Sequence, residues 1–468
     1  MDRRSFIANM ATFSGSLAVA CTSLGRRSEA FNGSGDGADL HAEGYGELLP
    51  TPSANTGETF LTLPHGFEYK VIGRVGDKMY DGRLTPRAHD GMRTFKVGRE
   101  LRIVRNHEIS DRKLPKEGSA IGSKFHYDET AGGGTTTLVI DPKTRTVVRD
   151  FVSLSGTLIN CAGGSTPWGS WISCEETTLG KTVRTLANGG KQGGYNKPHG
   201  YCFEVPAAAN GEVKPVPLKA MGRFEHEAVG VDPKTGIVYL TEDFASCGLY
   251  RFIPRKNKRL AEGGSLQMLA VTGNAEYDTR RSQKVGSVLS AHWVTIDNPD
   301  PEEADVDPSA VFKQGRAKGG AVFARLEGCE TDSKGRVFVT ATSGGDTKGG
   351  QIWRYEPDGR DKGHLTLLFE SPAREILHMP DNICKVPHSD LLMICEDSDY
   401  VGQAGVNHLR ILTPDGRIAN FSQNVSTAFP RSEFAGSTFS PDGKTLFVNL
   451  QLAGATFAIW GDWSKFRS

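Results

Sequence analysis

The chain has 468 residues, and its 55 Lys and Arg balance 55 Asp and Glu, so the formal net charge is zero. This balance argues against a nucleic-acid-binding protein, because such proteins carry a basic excess. Apolar residues make up 37% of the chain, which is too few for a polytopic membrane protein. The 56 glycines are typical of a globular fold with many turns.

The first thirty residues predict an export signal. Arg3-Arg4 precedes a weakly apolar stretch, residues 7–20, that is too short and too polar to span a membrane. This pattern is typical of a twin-arginine (Tat) signal peptide, so we expect residues 1–30 to engage the Tat machinery and the protein to be periplasmic or extracellular. Two outcomes stay open: a lipid anchor at Cys21, giving an outer-membrane lipoprotein, or cleavage near Ala30.

The remainder divides into a loose arm, residues 31–58, and one all-β domain, residues 59–468. The arm is rich in Gly, Ser, Ala and Glu. In the domain, short β-branched runs alternate with turn signals such as Pro357-Asp358-Gly359 and Pro441-Asp442-Gly443. Helical periodicity is scarce. The spacing therefore predicts a hairpin-rich β fold, which we expect to be monomeric.

One unit recurs six times: a turn, a short apolar strand, and a polar or acidic end. Its copies are Leu101–Glu108, Trp168–Glu175, Ile237–Asp243, Arg336–Thr342, Leu391–Asp397 and Thr445–Gln451. Each interval fits a four-stranded propeller blade plus loops, except one lengthened by an insertion around residues 254–318. The repeats predict a six-bladed β-propeller with inserted loops. A β-sandwich with coincidental hairpins is the alternative.

The repeated strand ends carry carboxylates. In a propeller, equivalent strand ends lie on one face and point toward the central channel. The candidate ligands found in this way are Glu108, Glu175, Glu176, Glu242, Asp243, Glu396 and Asp397. Gathering so many carboxylates is costly unless cations bind, and oxygen ligands favour hard ions such as Ca²⁺. The alternative is that these acids are solvated at blade tips.

Two further positions carry possible chemistry. Cys161 precedes Gly163-Gly164, and a thiolate beside carboxylates would suit iron better than calcium. Arg325 and Glu327 share one face of a predicted strand. An arginine beside a metal-binding glutamate can clamp a phosphate bidentately, although a simple cross-strand ion pair is equally compatible with the spacing.

Several motifs together resemble the PhoX family of bacterial alkaline phosphatases. They run in order from about residue 60 to the C-terminus: Asn160-Cys161-Ala162-Gly163-Gly164, Trp168-Gly169-Ser170-Trp171, Cys174-Glu175-Glu176, His226-Glu227-Ala228, Arg325-Leu326-Glu327-Gly328, Gly344-Gly345-Asp346, Pro380-Asp381-Asn382, Cys395-Glu396-Asp397 and Glu433-Phe434-Ala435-Gly436. The sequence departs from the family pattern at Leu326, where proline is common.

The resemblance implies a propeller with a mixed iron–calcium centre that hydrolyses phosphate monoesters outside the cytoplasm. It makes Cys161 an iron ligand and puts Glu227 and Glu327 at the metals. It also implies that Glu175, Glu396 and Asp397 complete the carboxylate shell and that Arg325 holds phosphate oxygens. The repeat adds two more expected ligands, Glu242 and Asp243.

Two other functions remain open on the sequence. Pro380-Asp381-Asn382 could serve a calcium-dependent lactonase or esterase, whose ion is held by Glu, Asn and Asp. A non-catalytic periplasmic binding propeller is the third candidate. Bound iron would argue against the lactonase, and a reversible loss of turnover on chelation would separate an enzyme from a scaffold.

Overall fold

The structure is a computed structural model that describes residues 46–110, 118–185, 189–398 and 406–466. The predicted Tat signal, Cys21 and residues 31–45 of the predicted arm lie outside these residues. Within the remainder of the arm, Leu48–Thr51 form a strand that pairs with Leu61–Pro64. No helix in the described ranges is both long and apolar enough to cross a membrane.

Strands dominate the described part of the chain. They are β1 (Leu48–Thr51), β2 (Leu61–Pro64), β3 (Glu68–Ile72), β4 (His89–Val97), β5 (Glu100–His107), β6 (Gly133–Asp141), β7 (Thr146–Thr157), β8 (Asn160–Ser165), β9 (Ser170–Glu175), β10 (Val183–Thr185), β11 (Lys191–Gly193), β12 (Cys202–Pro206), β13 (His226–Val231), β14 (Val238–Glu242), β15 (Tyr250–Pro254), β16 (Gly264–Val271), β17 (Val288–Thr295), β18 (Leu326–Thr331), β19 (Val337–Ala341), β20 (Gln351–Asp358), β21 (Lys362–Glu370), β22 (Pro380–Lys385), β23 (Leu392–Glu396), β24 (His408–Leu412), β25 (Ile418–Asn424), β26 (Phe434–Phe439), β27 (Thr445–Leu450) and β28 (Ala455–Trp460).

Helical segments are short and peripheral. The α-helix α1 spans Ala310–Arg316, within the predicted insertion. Turns of 3-10 helix occupy Lys219–Met221, Leu260–Glu262, Glu302–Asp305 and Trp463–Phe466.

The predicted all-β fold is confirmed, and its sheets have a propeller-like arrangement. The predicted six blades are not confirmed. Hydrogen bonding gives four blade-sized sheets, with nine, six, four and four strands. A three-stranded sheet, β12-β9-β8, and the ribbon β10-β11 complete the described set. The physical reason lies partly in the insertion, since β17 pairs with both β16 and β21 and joins two antiparallel meanders into one sheet.

Six strands surround the centre of the molecule. β4, β8, β13, β18, β22 and β26 contact one another in a closed ring, each packing against the next and β26 against β4. We call these the inner strands. Each begins a run of antiparallel hairpins that leads outward, as in a propeller. The last run is completed by β3, which pairs with β28, so strands from the two ends of the chain share a sheet and close the ring.

Apolar side chains fill the space between neighbouring sheets. One cluster brings together Tyr69 of β3, Met393 of β23, Phe434 of β26 and Phe457 of β28, all fully buried. Tyr69 and Phe457 pack edge to face, with ring centroids 5.5 Å apart. Since burial of a large side chain contributes about 1.5–3 kcal/mol, these interfaces hold the inner strands in fixed positions around the axis.

Candidate metal centre

Every inner strand has a shift in pairing register near its first residues. In five of them the residue just inside the shift carries a carboxylate or a thiol: Asp90, Cys161, Glu227, Glu327 and Asp381. All five are at most 3% exposed. A β-bulge bends its strand and re-aims a side chain, so one local irregularity repeated around the ring directs five ligand-type side chains inward. In β26 the shift follows Ala435, and a carboxylate is provided by Glu433, just before the strand.

A second set of residues surrounds these buried side chains. In each run, the residue that follows the second strand donates its backbone N–H to the carbonyl just before the inner strand, over 2.8–3.2 Å. The donors are Glu108, Glu176, Asp243, Thr342, Asp397 and Gln451, and the acceptors are Ala88, Ile159, Glu225, Arg325, Met379 and Glu433. We call this end of the ring the cluster face. Its Glu108, Glu176 and Arg325 are only half-buried, so the buried layer is approached from here.

Three groups of side chains on this face have ligand atoms within 4.8 Å of one another. The groups are Glu108–Cys161–Glu176, Asp90–Glu108–Glu433 and Glu227–Glu327–Asp381. They are contiguous. Glu108 belongs to the first two, and the Cys161 thiol donates to Glu227 Oε1 over 3.1 Å, which joins the first group to the third.

Electrostatics shows what this arrangement requires. Burial, followed by the charges of Asp90 and Glu227, raises the pKa of the Cys161 thiol well above its usual value. Burial and neighbouring carboxylates likewise raise the pKa of Glu227 and of Asp381. Glu227 Oε2 is buried and has no hydrogen-bond partner. A buried carboxylate oxygen without a partner is costly unless a cation binds it, so this donor set fits metal ions.

The donor chemistry differs among the groups. Two contain only carboxylates, the ligands that hard cations such as Ca²⁺ prefer. The group Glu108–Cys161–Glu176 adds the sulfur of Cys161, which favours a transition metal.

Arg325 lies at the rim of the third group. Its guanidinium makes a bidentate ion pair with Asp243, Nε to Oδ1 over 2.9 Å and Nη2 to Oδ2 over 3.0 Å. Nη2 also donates to Glu327 Oε1 over 2.5 Å. Arg325 has a backbone φ of 49°, in the left-handed region that non-glycine residues seldom adopt. Two carboxylates and a strained backbone therefore fix the Arg325 side chain directly beside the buried cluster.

Of the ligands expected from the sequence, Cys161, Glu227 and Glu327 lie in the three groups, together with the repeat candidates Glu108 and Glu176. Five do not lie in these groups: Glu175, Glu242, Glu396, Asp243 and Asp397. Three of these are occupied as acceptors for neighbouring loops. Glu175 accepts from the backbone N–H groups of Gly200 and Tyr201, Glu242 from Gly248 N–H, and Glu396 from His408 N–H and Arg410. Their side chains point between sheets because each is one residue out of phase with the cluster face. Asp243 pairs with Arg325, and Asp397 is half-buried on the cluster face.

Sequence reasoning missed two residues that the structure brings into these groups, Asp90 and Glu433, and it considered Asp381 only for the alternative lactonase. Glu108 and Glu176 do occur among the repeated strand ends. The usable signal for the inner strands is an acid or cysteine followed by a small residue, as in Asp90-Gly91, Cys161-Ala162, Glu227-Ala228 and Glu327-Gly328.

The small residues form a floor beneath the clusters. A Cβ at Gly91 would lie 2.5 Å from Cα of Ala162, and one at Gly328 would lie 2.5 Å from the carbonyl oxygen of Asp381. On the far side of these residues is a cavity of about 330 Å³ in which Arg93 and Glu330 form a bidentate ion pair. None of the eight cluster residues lines this cavity, so the clusters face the opposite end of the ring.

The fold and the clusters define a propeller-like protein with a buried centre suited to several metal ions. A family model described as alkaline phosphatase PhoX matches residues 44–454. The chain belongs to this family, and it is accordingly a phosphomonoesterase, a hydrolase whose family depends on metal ions. The identification made from the sequence motifs is thereby confirmed.

One solved structure supports the fold. Pseudomonas fluorescens PhoX in complex with vanadate, a transition state analogue, matches with a TM-score of 0.65 and 17% identity over 89% of this chain and 98% of that chain. A gluconolactonase from Xanthomonas campestris matches over the same shares, with 12% identity and a TM-score of 0.40. None of the curated protein sequences matches.

Proposed function

We propose that the protein releases inorganic phosphate from small organic phosphate esters at an iron–calcium centre on the cluster face. The observation that carries the proposal is the placement of Arg325 directly above buried, contiguous groups of carboxylates and one thiol. A phosphate ester dianion can enter such a site only where cations outweigh the carboxylates, and this donor set suits cations.

The donor chemistry supports an assignment of ions. We place iron at Glu108–Cys161–Glu176, because sulfur is the softest donor present, and calcium at the two groups that contain only carboxylates. Of the ligands expected from the sequence, Cys161, Glu227 and Glu327 remain in this set, with Glu108 and Glu176 from the repeated strand ends. Glu175, Glu242 and Glu396 stabilise the surroundings of the metal centre, because they accept hydrogen bonds from backbone N–H groups of the loops beside the cluster face.

The chain's own residues supply binding and orientation. Arg325 offers a planar set of N–H donors to the equatorial phosphoryl oxygens and offsets the charge that builds up on them. When bound, the ions polarise the phosphoryl group and lower the pKa of water. The floor at Gly91, Ala162 and Gly328 brings neighbouring inner strands close together between the clusters and the cavity beyond.

Two features outside the site complete the proposal. The twin arginine of residues 3–4 supports export by the Tat route, and hence a periplasmic or extracellular protein, with or without a lipid at Cys21. The closed ring of six inner strands, each with the same register shift and the same backbone hydrogen bond, supports a propeller-like arrangement in which β17 joins two hairpin runs into one sheet.

Elemental analysis of the native protein, with an absorption spectrum and an aryl phosphate assay, tests this function. We expect iron and calcium in integral ratios to protein, a thiolate-to-iron absorption band, and turnover of the ester. In Cys161→Ser the band should be lost and the iron content should fall while calcium remains. A native protein that hydrolyses the ester without bound iron would contradict the assignment of ions.

A further inference from the structure

Asp243 occupies a position that elsewhere on the cluster face provides a cluster carboxylate. It follows β14 as Glu108 follows β5 and Glu176 follows β9, and all three donate their backbone N–H to the residue before the adjoining inner strand. Glu108 and Glu176 belong to the potential metal groups, but Asp243 does not. The same ring position therefore has a different partner in this part of the molecule.

That partner is the guanidinium of Arg325. Both oxygens of Asp243 accept from it, and Nη2 of the same guanidinium reaches Glu327 of the Glu227–Glu327–Asp381 group. The positive group lies between two carboxylates, the position that a metal ion would take in a carboxylate cluster. The Asp243 side chain is 6% exposed and that of Arg325 is 20% exposed, so solvent weakens this pair less than it would weaken a surface pair.

We propose that Asp243 is a positioning residue for Arg325 in phosphate binding and is not a metal ligand. A bidentate carboxylate fixes both the position and the plane of a guanidinium. Fixing the plane sets the direction in which the remaining N–H groups point, and so the geometry in which Arg325 meets a phosphoryl group. Without Asp243, the guanidinium would keep its contact with Glu327 but could rotate about it. This inference rests on the proposed phosphatase site.

Backbone contacts reinforce the pair. Arg325 N–H donates to the carbonyl of Phe244, the residue after Asp243, over 3.0 Å. The positive φ of Arg325 and this bond bring the two side chains together on the cluster face, Asp243 from the end of β14 and Arg325 from the residue before β18. The arrangement is thus built into the strand ends rather than made by two flexible surface side chains.

The test compares Asp243→Asn with Asp278→Asn. Asp278 makes the same kind of bidentate pair with Arg280, but at exposed side chains, which makes it a matched control. For the metal-loaded Asp243→Asn protein we expect a KM for an aryl phosphate and an inhibition constant for inorganic phosphate raised roughly tenfold, with iron and calcium content unchanged. Asp278→Asn should match the wild type, and Asp243→Glu should recover part of the phosphate affinity.

A double variant makes the test specific. If Asp243 acts through Arg325, adding Asp243→Asn to Arg325→Ala should change phosphate inhibition less than twofold further. Loss of bound metal in Asp243→Asn, or an unchanged inhibition constant, would overturn the inference. A metal-loaded wild-type protein that turns over no phosphate ester would instead overturn the proposed function, and direct binding of inorganic phosphate by calorimetry would still test the pair.

Discussion

At the scale of single residues, a step of one position along a strand separates two roles for a carboxylate. Glu175 and Glu176 are neighbours, but Glu175 accepts hydrogen bonds from the loop before β12, whereas Glu176 lies within ligand distance of Cys161. Successive side chains of a strand point to opposite sides of the sheet. A sequence-based prediction that is wrong by one position therefore selects a carboxylate that binds a loop instead of one in the cluster.

Replacement of Arg325 by alanine should abolish most of the activity. We expect turnover of an aryl phosphate to fall by about 10² or more, because a donor aimed at developing charge is removed. The measurement is steady-state kinetics on metal-loaded protein. Arg280→Ala, which removes another carboxylate-paired arginine, is the control and should retain activity. Full activity in Arg325→Ala would remove this residue from the site.

At the scale of structural elements, the register shifts and the loops behind them set the geometry. The loop leading into β12 contains His199, whose Nδ1 lies 2.6 Å from Glu175 Oε1 and whose Nε2 lies 3.6 Å from Asp128 Oδ2. Burial disfavours the imidazolium, but the charge of Glu175 and the contact with Asp128 outweigh it and raise the pKa of His199 to about 9. A buried cation between two carboxylates thus holds this loop against the end of β9.

This ion pair makes stability depend on pH. Since the folded-state pKa of about 9 exceeds the ordinary value near 6.5, the stabilisation is complete below pH 6.5 and is lost as the pH rises through 9. We expect the free energy of unfolding in urea to fall by up to about 3 kcal/mol between pH 6.5 and 9.5. His199→Gln should be less stable at pH 6.5 and should lack this slope. A wild-type stability that stays constant over the interval would contradict the prediction.

The floor residues restrict what each inner strand can tolerate. Valine at Gly328 would place its Cβ 2.5 Å from the Asp381 carbonyl oxygen, and backbone atoms cannot move aside cheaply. We expect a loss of about 1–3 kcal/mol or more and a reduced metal content, because the bulges of β18 and β22 would separate. Gly211→Val is the matched control, since a Cβ there would meet nothing within 4 Å. Thermal unfolding and elemental analysis measure both effects, and a Gly328→Val protein with wild-type metal content would count against the floor.

At the scale of the whole molecule, the cluster residues come from all six inner runs, between Asp90 and Glu433. The groups are therefore assembled only when the ring closes, which includes the pairing of β3 with β28. Ions that bind such a centre should stabilise the closed ring, because ligands of the native state shift the folding equilibrium by mass action.

Dialysis against a strong chelator should consequently affect stability and activity together. We expect turnover to be lost and the melting temperature to fall by roughly 5 °C or more, with both restored by iron and calcium. Dialysis against chelator already saturated with metal is the control. Retained turnover in protein shown by elemental analysis to hold no ions would refute a metal-dependent centre.

The family, the all-β class and the repeated strand ends could be predicted from the sequence. So could five of the cluster residues: Cys161, Glu227 and Glu327 from motifs, and Glu108 and Glu176 from the repeat. These features are local: turn signals, apolar strands and short motifs can be recognised without knowing what lies opposite. The folded structure was needed to show that β17 joins two runs into one sheet and that Asp90, Asp381 and Glu433 lie in the clusters. It was also needed to show that the side chains of Glu175, Glu242 and Glu396 lie outside them. Those outcomes depend on register shifts and on contacts between residues far apart in the chain, which the order of residues along one strand does not reveal.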